Sequence, residues 1–227
     1  MKKKKAYVYK FNLVLANILS IVIFALLMIF TVLIGKSFSF GDCEFVVVLI
    51  AMFLYFMLHE ILHGIGYIIG GAKPKNIKYG ICLEKGILYA MSMQEISKKS
   101  ILISLQMPFM VIGVITYLIG IIFNIELLTF LSMVNIMGAS LDIVMFLYIL
   151  RLPSDTIYSE SGNNDEFVLI SSSDLRKKKC MFFRVTEVKD YKEEDYIFKD
   201  FQKFEISRFS VVIFMILLFD YFLINVI

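Results

Sequence analysis

Long uninterrupted runs of apolar residues dominate the hydrophobic pattern of this chain. Five runs are long enough to cross about 30 Å of hydrocarbon as a helix that rises about 1.5 Å per residue. They cover residues 11–35, 45–71, 101–123, 127–150 and 207–227. The pattern therefore predicts an all-α polytopic membrane protein with about five transmembrane helices. The composition agrees, since 59% of the 227 residues are hydrophobic, which is more than soluble domains contain.

A first polar segment separates the second and third apolar runs. Within residues 77–93, two short β-prone stretches flank Glu84, Lys85 and Gly86. This arrangement is typical of a β-hairpin, although an irregular lysine-rich loop fits the sequence equally well. We therefore predict a possible cytoplasmic β-hairpin.

A second polar segment covers residues 151–206 and carries 12 of the 20 acidic residues of the chain. Residues 165–172 and 180–188 read as strands, and a later amphipathic stretch places Ile197 and Phe201 on one helix face. We expect a small solvated α+β segment here, on the cytoplasmic side.

Positive charges lie almost entirely on one side of the predicted helices. Lysines 2–5 precede the first run, and further lysines fill the loop between the second and third runs. The positive-inside rule then places the N-terminus and residues 151–206 in the cytoplasm and the C-terminus outside. The composition indicates a multi-pass protein of a bacterial cell membrane. The net charge of +3 reflects these flanks and gives no reason to expect a nucleic acid partner.

Ionisable side chains inside the predicted spans need an explanation, because each is costly in hydrocarbon. The chain has only 2 histidines, and both lie in the second span. His59 and His63 are four residues apart on one helix face, so that both can bind one metal ion. Glu60 projects beside them, where a carboxylate can take a proton from metal-activated water.

A catalytic zinc site needs a third protein ligand. With the orientation above, His63 and Asp142 each lie about 12 Å from the cytoplasmic ends of their helices. Asp142 is therefore the predicted third ligand. Asp220 in the fifth span lies nearer the far side and is the weaker candidate.

Asn135 and Pro108, which lie in the predicted spans, each have two interpretations. Asn135 precedes Asp142 by seven residues, and it either binds a ligand or substrate backbone or makes a polar contact between helices. Pro108 frees a backbone carbonyl, which either shapes solvent access or accompanies an ordinary kink. The spacing of Gly66 and Gly70 predicts that another helix approaches closely there.

At these residues the chain resembles membrane-embedded zincins. The sequence from His59 to His63 resembles the H-E-x-x-H motif of site-2 proteases (M50-like). Leu141 and Asp142 resemble their later Leu-Asp-Gly segment, although Ile143 stands where that family has glycine. The order of the elements is even more similar to that of a family of small bacterial membrane proteins classed as zincin peptidases. The resemblance covers roughly residues 45–155.

Together with the apolar runs, the resemblance leads us to expect three parts: a transmembrane zincin-like core over residues 1–150, the cytoplasmic segment 151–206 and a C-terminal transmembrane helix at 207–227. The resemblance implies a zinc metalloprotease that cuts membrane-protein or peptide substrates within or beside the bilayer.

Two functions remain open at the level of the sequence. In the first, zinc held by His59, His63 and Asp142 activates water for peptide hydrolysis, and Glu60 acts as the general base. In the second, the protein is a non-catalytic metal-binding or proton-relay protein, such as a transport accessory or a sensor. Only the peptidase requires Glu60.

Overall fold

The computed structural model describes residues 4–36, 44–82, 87–160 and 166–188. The predicted fifth helix with Asp220, the predicted amphipathic helix and the turn of the predicted hairpin lie outside these residues.

Helices form most of the described part of the chain. They are α1 (Leu13–Leu33), α2 (Glu44–Ile69), α3 (Lys98–Pro108), a π-helical segment (Phe109–Ile115), α4 (Thr116–Phe123), α5 (Glu126–Gly138) and α6 (Ser140–Leu150). The side chain of Asn12 accepts a hydrogen bond from the first turn of α1, and that of Ser97 does the same for α3. Both helices therefore begin where their sequences supply a capping oxygen.

Three helical stretches of the described residues are long and apolar enough to cross a membrane, as expected of a membrane protein. They are Leu13–Leu33, Val47–Ile69 and Lys98–Phe123. The predicted fourth span is instead the pair α5 and α6, bent by 50°. The bend falls at Gly138, Ala139 and Ser140, small residues of the kind at which helices kink. The expectation of about five spans is thus wrong for the described chain, which has three candidates, or four if the bent pair counts as one.

Seven strands also form, so the all-α prediction is wrong and the described fold is mixed α/β. They are β1 (Lys5–Phe11), β2 (Ile77–Cys82), β3 (Ile87–Ser92), β4 (Ile96–Ser97), β5 (Ile157–Glu160), β6 (Glu166–Ser171) and β7 (Phe183–Val188). An antiparallel sheet of five strands has the order β4-β5-β6-β1-β7. β2 and β3 form a second, two-stranded antiparallel sheet, as the hairpin pattern predicted.

Three strands, β1, β4 and β5, were not predicted from the sequence, and β1 is the longest of them. Its lysines are typical of the flank of a membrane helix, yet Tyr7 and Tyr9 are buried on one face of the strand and Ala6 on the other. β1 lies in the interior of the sheet because it pairs with both β6 and β7. These partners are far away in sequence, so no local pattern reveals them.

The sheet packs directly against the ends of the helices. Tyr9 of β1 stacks on Phe167 at a ring distance of 5.0 Å, and its hydroxyl lies 3.0 Å from that of Tyr148 in α6. Ile101 of α3 and Ile149 of α6 belong to the same buried cluster. One hydrophobic core therefore joins the sheet to α3 and α6.

α2 and α3 make a close contact that their small residues permit. A Cβ atom at Gly66 would overlap the backbone of Ser104, and one at Gly70 would overlap Ser100. The prediction that another helix approaches Gly66 and Gly70 is confirmed. This contact brings the backbone of α3 to the histidines of α2.

Candidate metal centre

The two histidines occupy one face of α2, a turn apart. Their ring centroids are 4.7 Å apart, and the Nε2 atoms of His59 and His63 lie 3.0 Å from each other. His63 is buried. The spacing of four residues thus brings both rings to one point in the interior.

The other ring nitrogen of His63 is bound by the backbone of α3. Its Nδ1 donates to the carbonyl oxygen of Ser104 at 3.0 Å. In an uninterrupted α-helix this carbonyl would accept from the N–H of the residue four positions later. That residue is Pro108, which has no N–H, so the proline leaves the carbonyl free for His63.

The other ring nitrogen of His59 is bound by Asn135 of α5. The Asn135 amide nitrogen donates to the carbonyl of Pro108 at 3.2 Å, which assigns the amide oxygen to the side facing His59. That oxygen lies 2.8 Å from His59 Nδ1. His59 Nδ1 therefore carries the proton, as His63 Nδ1 does.

Asp142, in the first turn of α6, completes the arrangement. Its Oδ2 lies 3.2 Å from Nε2 of His59 and 3.4 Å from Nε2 of His63. The bend between α5 and α6 places Asn135 behind the His59 ring and Asp142 in front of it. All three residues predicted as metal ligands thus converge.

The donor set fits a zinc ion. When each imidazole is neutral, its proton is on Nδ1, so both Nε2 atoms present lone pairs to each other and to a carboxylate oxygen. Three acceptor atoms that converge among largely buried side chains are the arrangement of a cation site. Two imidazole nitrogens and one carboxylate are also a ligand set that catalytic zinc uses.

Glu60 stands beside this cluster and faces the hairpin. One ligand atom each of His59, Glu60 and His63 lies within 4.8 Å of the others. The Glu60 carboxylate also accepts a hydrogen bond from the backbone of Ala90 in β3. A cavity of about 10 Å³ adjoins it, roughly the space of one water molecule. It is lined by Met57, Glu60, Ile61, Tyr79, Gly80, Leu88 and Tyr89.

Ser104 was not predicted as a site residue, because its backbone carbonyl, which every residue type has, makes the contact with His63. The signal was present, because Pro108 follows four residues later. Asn135 was predicted as a substrate-binding residue. The structure places it against His59, and its contact with substrate stays a prediction.

Comparison with known families supports a zincin-like peptidase. Residues 52–157 match a family described as "Putative zincin peptidase". The match covers a little under half of the chain and includes the histidine pair, Glu60, Asn135 and Asp142. No curated protein and no solved structure matches this chain. A zinc-dependent hydrolase is the class of protein to which the match and the site both point.

Proposed function

We propose that this protein is a zinc metallopeptidase of the site-2 protease type, which hydrolyses membrane-associated peptide substrates within or beside the bilayer. The observation that carries the proposal is the convergence of His59, His63 and Asp142, with Glu60 beside them. These three residues would hold the metal. A bound zinc ion supplies Lewis-acid chemistry, which lowers the pKa of water and polarises a peptide carbonyl.

The chain's own residues do the rest of the chemistry. Glu60 accepts the proton of the attacking water and returns it to the nitrogen of the leaving amine. Asn135 and the Ser104 carbonyl hold both imidazoles in the tautomer that leaves Nε2 free. Glu60 therefore acts on the water and the leaving amine, and it does not need to bind the metal.

The edge of β3 is the proposed binding site for the substrate backbone. The N–H of Ala90 points away from β2 and toward Glu60. An unwound peptide added as a strand along this edge would lie beside Glu60. Membrane-associated substrates fit this geometry, because α2 carries the site within a candidate membrane span.

The test combines metal analysis with a cleavage assay on detergent-purified protein. We expect about one zinc per chain in the wild type, loss of zinc in the His59→Ala/His63→Ala double variant, and less zinc in Asp142→Ala. Glu60→Gln should retain zinc but lose cleavage of unfolded membrane-protein segments by at least about a hundredfold.

Two outcomes contradict the proposal. Cleavage that survives in Glu60→Gln would remove the proposed general base. A folded wild type that binds no zinc even when zinc is supplied would instead favour a proton relay through the histidines.

A further inference from the structure

Glu160 is an enclosed carboxyl group near the metal centre that the proposed reaction does not use. It is the last residue of β5, outside the residues that match the zincin family. Burial raises its pKa to about 7, against the opposing effect of hydrogen bonds that favour the ionised form. Such a group changes charge near neutral pH.

Three elements donate hydrogen bonds to this one carboxyl group. The hydroxyl of Tyr67 in α2 donates to Oε1 at 3.2 Å, and that of Tyr158 in β5 donates to Oε2 at 3.0 Å. The backbone of Ser92 in β3 also donates to it. Glu160 therefore links α2, β3 and the five-stranded sheet at a single point.

This point adjoins the proposed site on two elements. Tyr67 follows His63 by four residues, so it continues the row of His59 and His63 on the same face of α2. Its hydroxyl also interacts with Ser104, the residue whose carbonyl binds His63. The Glu160 contacts thus begin one helical turn from a metal ligand.

On β3, the two carboxylates occupy the same edge. Ala90 donates to Glu60 and Ser92 donates to Glu160. Residues two apart in a strand point their N–H groups to the same side, about 7 Å apart. Glu60 and Glu160 therefore hold successive N–H groups of the edge along which a substrate strand would add.

We propose that Glu160 is a positioning residue, which holds the outer edge of β3 against the metal-bearing face of α2 by accepting hydrogen bonds from both. A substrate strand that pairs with Ser92 must displace the Glu160 carboxyl from this N–H. Glu160 thus controls when the edge beside Glu60 becomes available. This control of substrate access rests on the proposed peptidase function, whereas the hydrogen bonds that Glu160 accepts do not.

The strength with which Glu160 holds the edge of β3 depends on pH. The direction of this dependence follows from the raised pKa of Glu160. In the closed arrangement Glu160 has a pKa of about 7, raised from 4.5, and release of the edge exposes it to water, where the pKa falls. A proton therefore favours the closed arrangement. The edge is held most firmly at acidic pH and loosens as the pH rises from about 5 to 7. The groups that face Glu160 are Tyr67 on α2, Tyr158 on its own strand, the Ser92 N–H on β3 and, further away, His63.

Hydrogen–deuterium exchange of the full-length protein in lipid nanodiscs tests the proposal without a substrate. Exchange of β3 amides, corrected for the intrinsic effect of pH, should rise between pH 5 and 8 in the wild type by up to about a hundredfold. Glu160→Gln keeps a neutral side chain, so its exchange should stay slow at every pH. Glu160→Ala removes the acceptor, so its exchange should be fast at every pH.

The controls separate this role from a general structural one and from metal binding. Glu166→Ala on β6 removes an acid that lies 3.8 Å from Lys10, and it should leave β3 unchanged. Equal β3 exchange in Glu160→Ala and wild type at pH 5 would overturn the proposal, as would faster exchange of the variant spread evenly over all helices. Loss of zinc from Glu160→Gln would also overturn it, by making Glu160 part of the metal site. None of these measurements depends on cleavage. The proposed peptidase function can therefore be disproved while the positioning role of Glu160 stands.

Discussion

The site depends on how each histidine ring is held. A free imidazole exchanges its proton between Nδ1 and Nε2, and only the form with a free Nε2 can bind a metal through that atom. Here a main-chain carbonyl fixes His63 and a side-chain amide fixes His59. The orientation of Asn135 is itself fixed by the carbonyl of Pro108. The geometry of the cluster is therefore prepared by residues that do not bind the metal.

Asn135→Leu should weaken zinc binding by roughly 10- to 100-fold, because it removes the acceptor that fixes the His59 ring. Competition with a chromophoric chelator measures the affinity. Ser132→Ala is the matched control, since Ser132 lies one turn earlier on α5, is equally buried, and bonds Tyr55 and Thr116 rather than a histidine. Equal zinc affinity in Asn135→Leu and wild type would show that the amide does not orient His59.

Among the elements, the interrupted helix from α3 to α4 has two roles at the site. Its proline frees the Ser104 carbonyl for His63, and the carbonyl of Pro108 itself accepts from Asn135. The π-helical turns that follow the proline are a local irregularity of the kind often found at functional sites. This irregular helix therefore helps to fix the orientation of both histidine rings.

Pro108→Ala should lower zinc affinity by about tenfold, because the new N–H competes with His63 for the Ser104 carbonyl. It should not lower thermal stability, since a proline inside a helix costs about 3 kcal/mol. Chelator competition and circular dichroism melting measure the two effects, the latter because the chain has 0 tryptophans.

Pro153→Ala serves as the control for this change, because Pro153 lies in the turn after α6, away from both histidines. If Pro108→Ala binds zinc as tightly as Pro153→Ala, then the freed carbonyl is not what holds His63.

For the whole molecule, the five-stranded sheet constrains how the chain crosses a membrane. β4 precedes α3 and pairs with β5, which follows α6. β1 precedes α1 and lies between strands that also follow α6. The chain must therefore leave and return on the side of the sheet, so that if α3 to α4 crosses the bilayer, the bent pair of α5 and α6 brings it back.

Cysteine accessibility tests this arrangement. With the 3 native cysteines replaced by serine, Phe123→Cys should react with a membrane-impermeant maleimide in intact cells. Ser173→Cys, on the sheet side, should react only after the membrane is permeabilised. Reaction of both positions in intact cells would contradict the crossing pattern. The expected outcome assumes that the sheet lies on the cytoplasmic side, as the positive-inside rule predicts.

The sequence by itself determined the chemical groups of the site. Spacing on one helix paired His59 with His63, and the depth of Asp142 matched them, because a regular helix converts residue number into angle and distance. The strands β2, β3, β6 and β7 were also predicted, since their apolar and β-branched stretches are local signals.

Only the tertiary structure decided the contacts between residues distant in sequence. β1 looked like a membrane flank because its partners follow more than a hundred residues later, and the fourth apolar run did not show that it bends between Asn135 and Asp142. The Ser104 carbonyl and Glu160 acquire their roles from packing: one is a main-chain atom available to any residue type, and the other is an ordinary surface-type acid until α2, β3 and β5 enclose it. Hydrophobic pattern and helix spacing are properties of neighbouring residues, whereas these contacts exist only once the chain has returned to the same point in space.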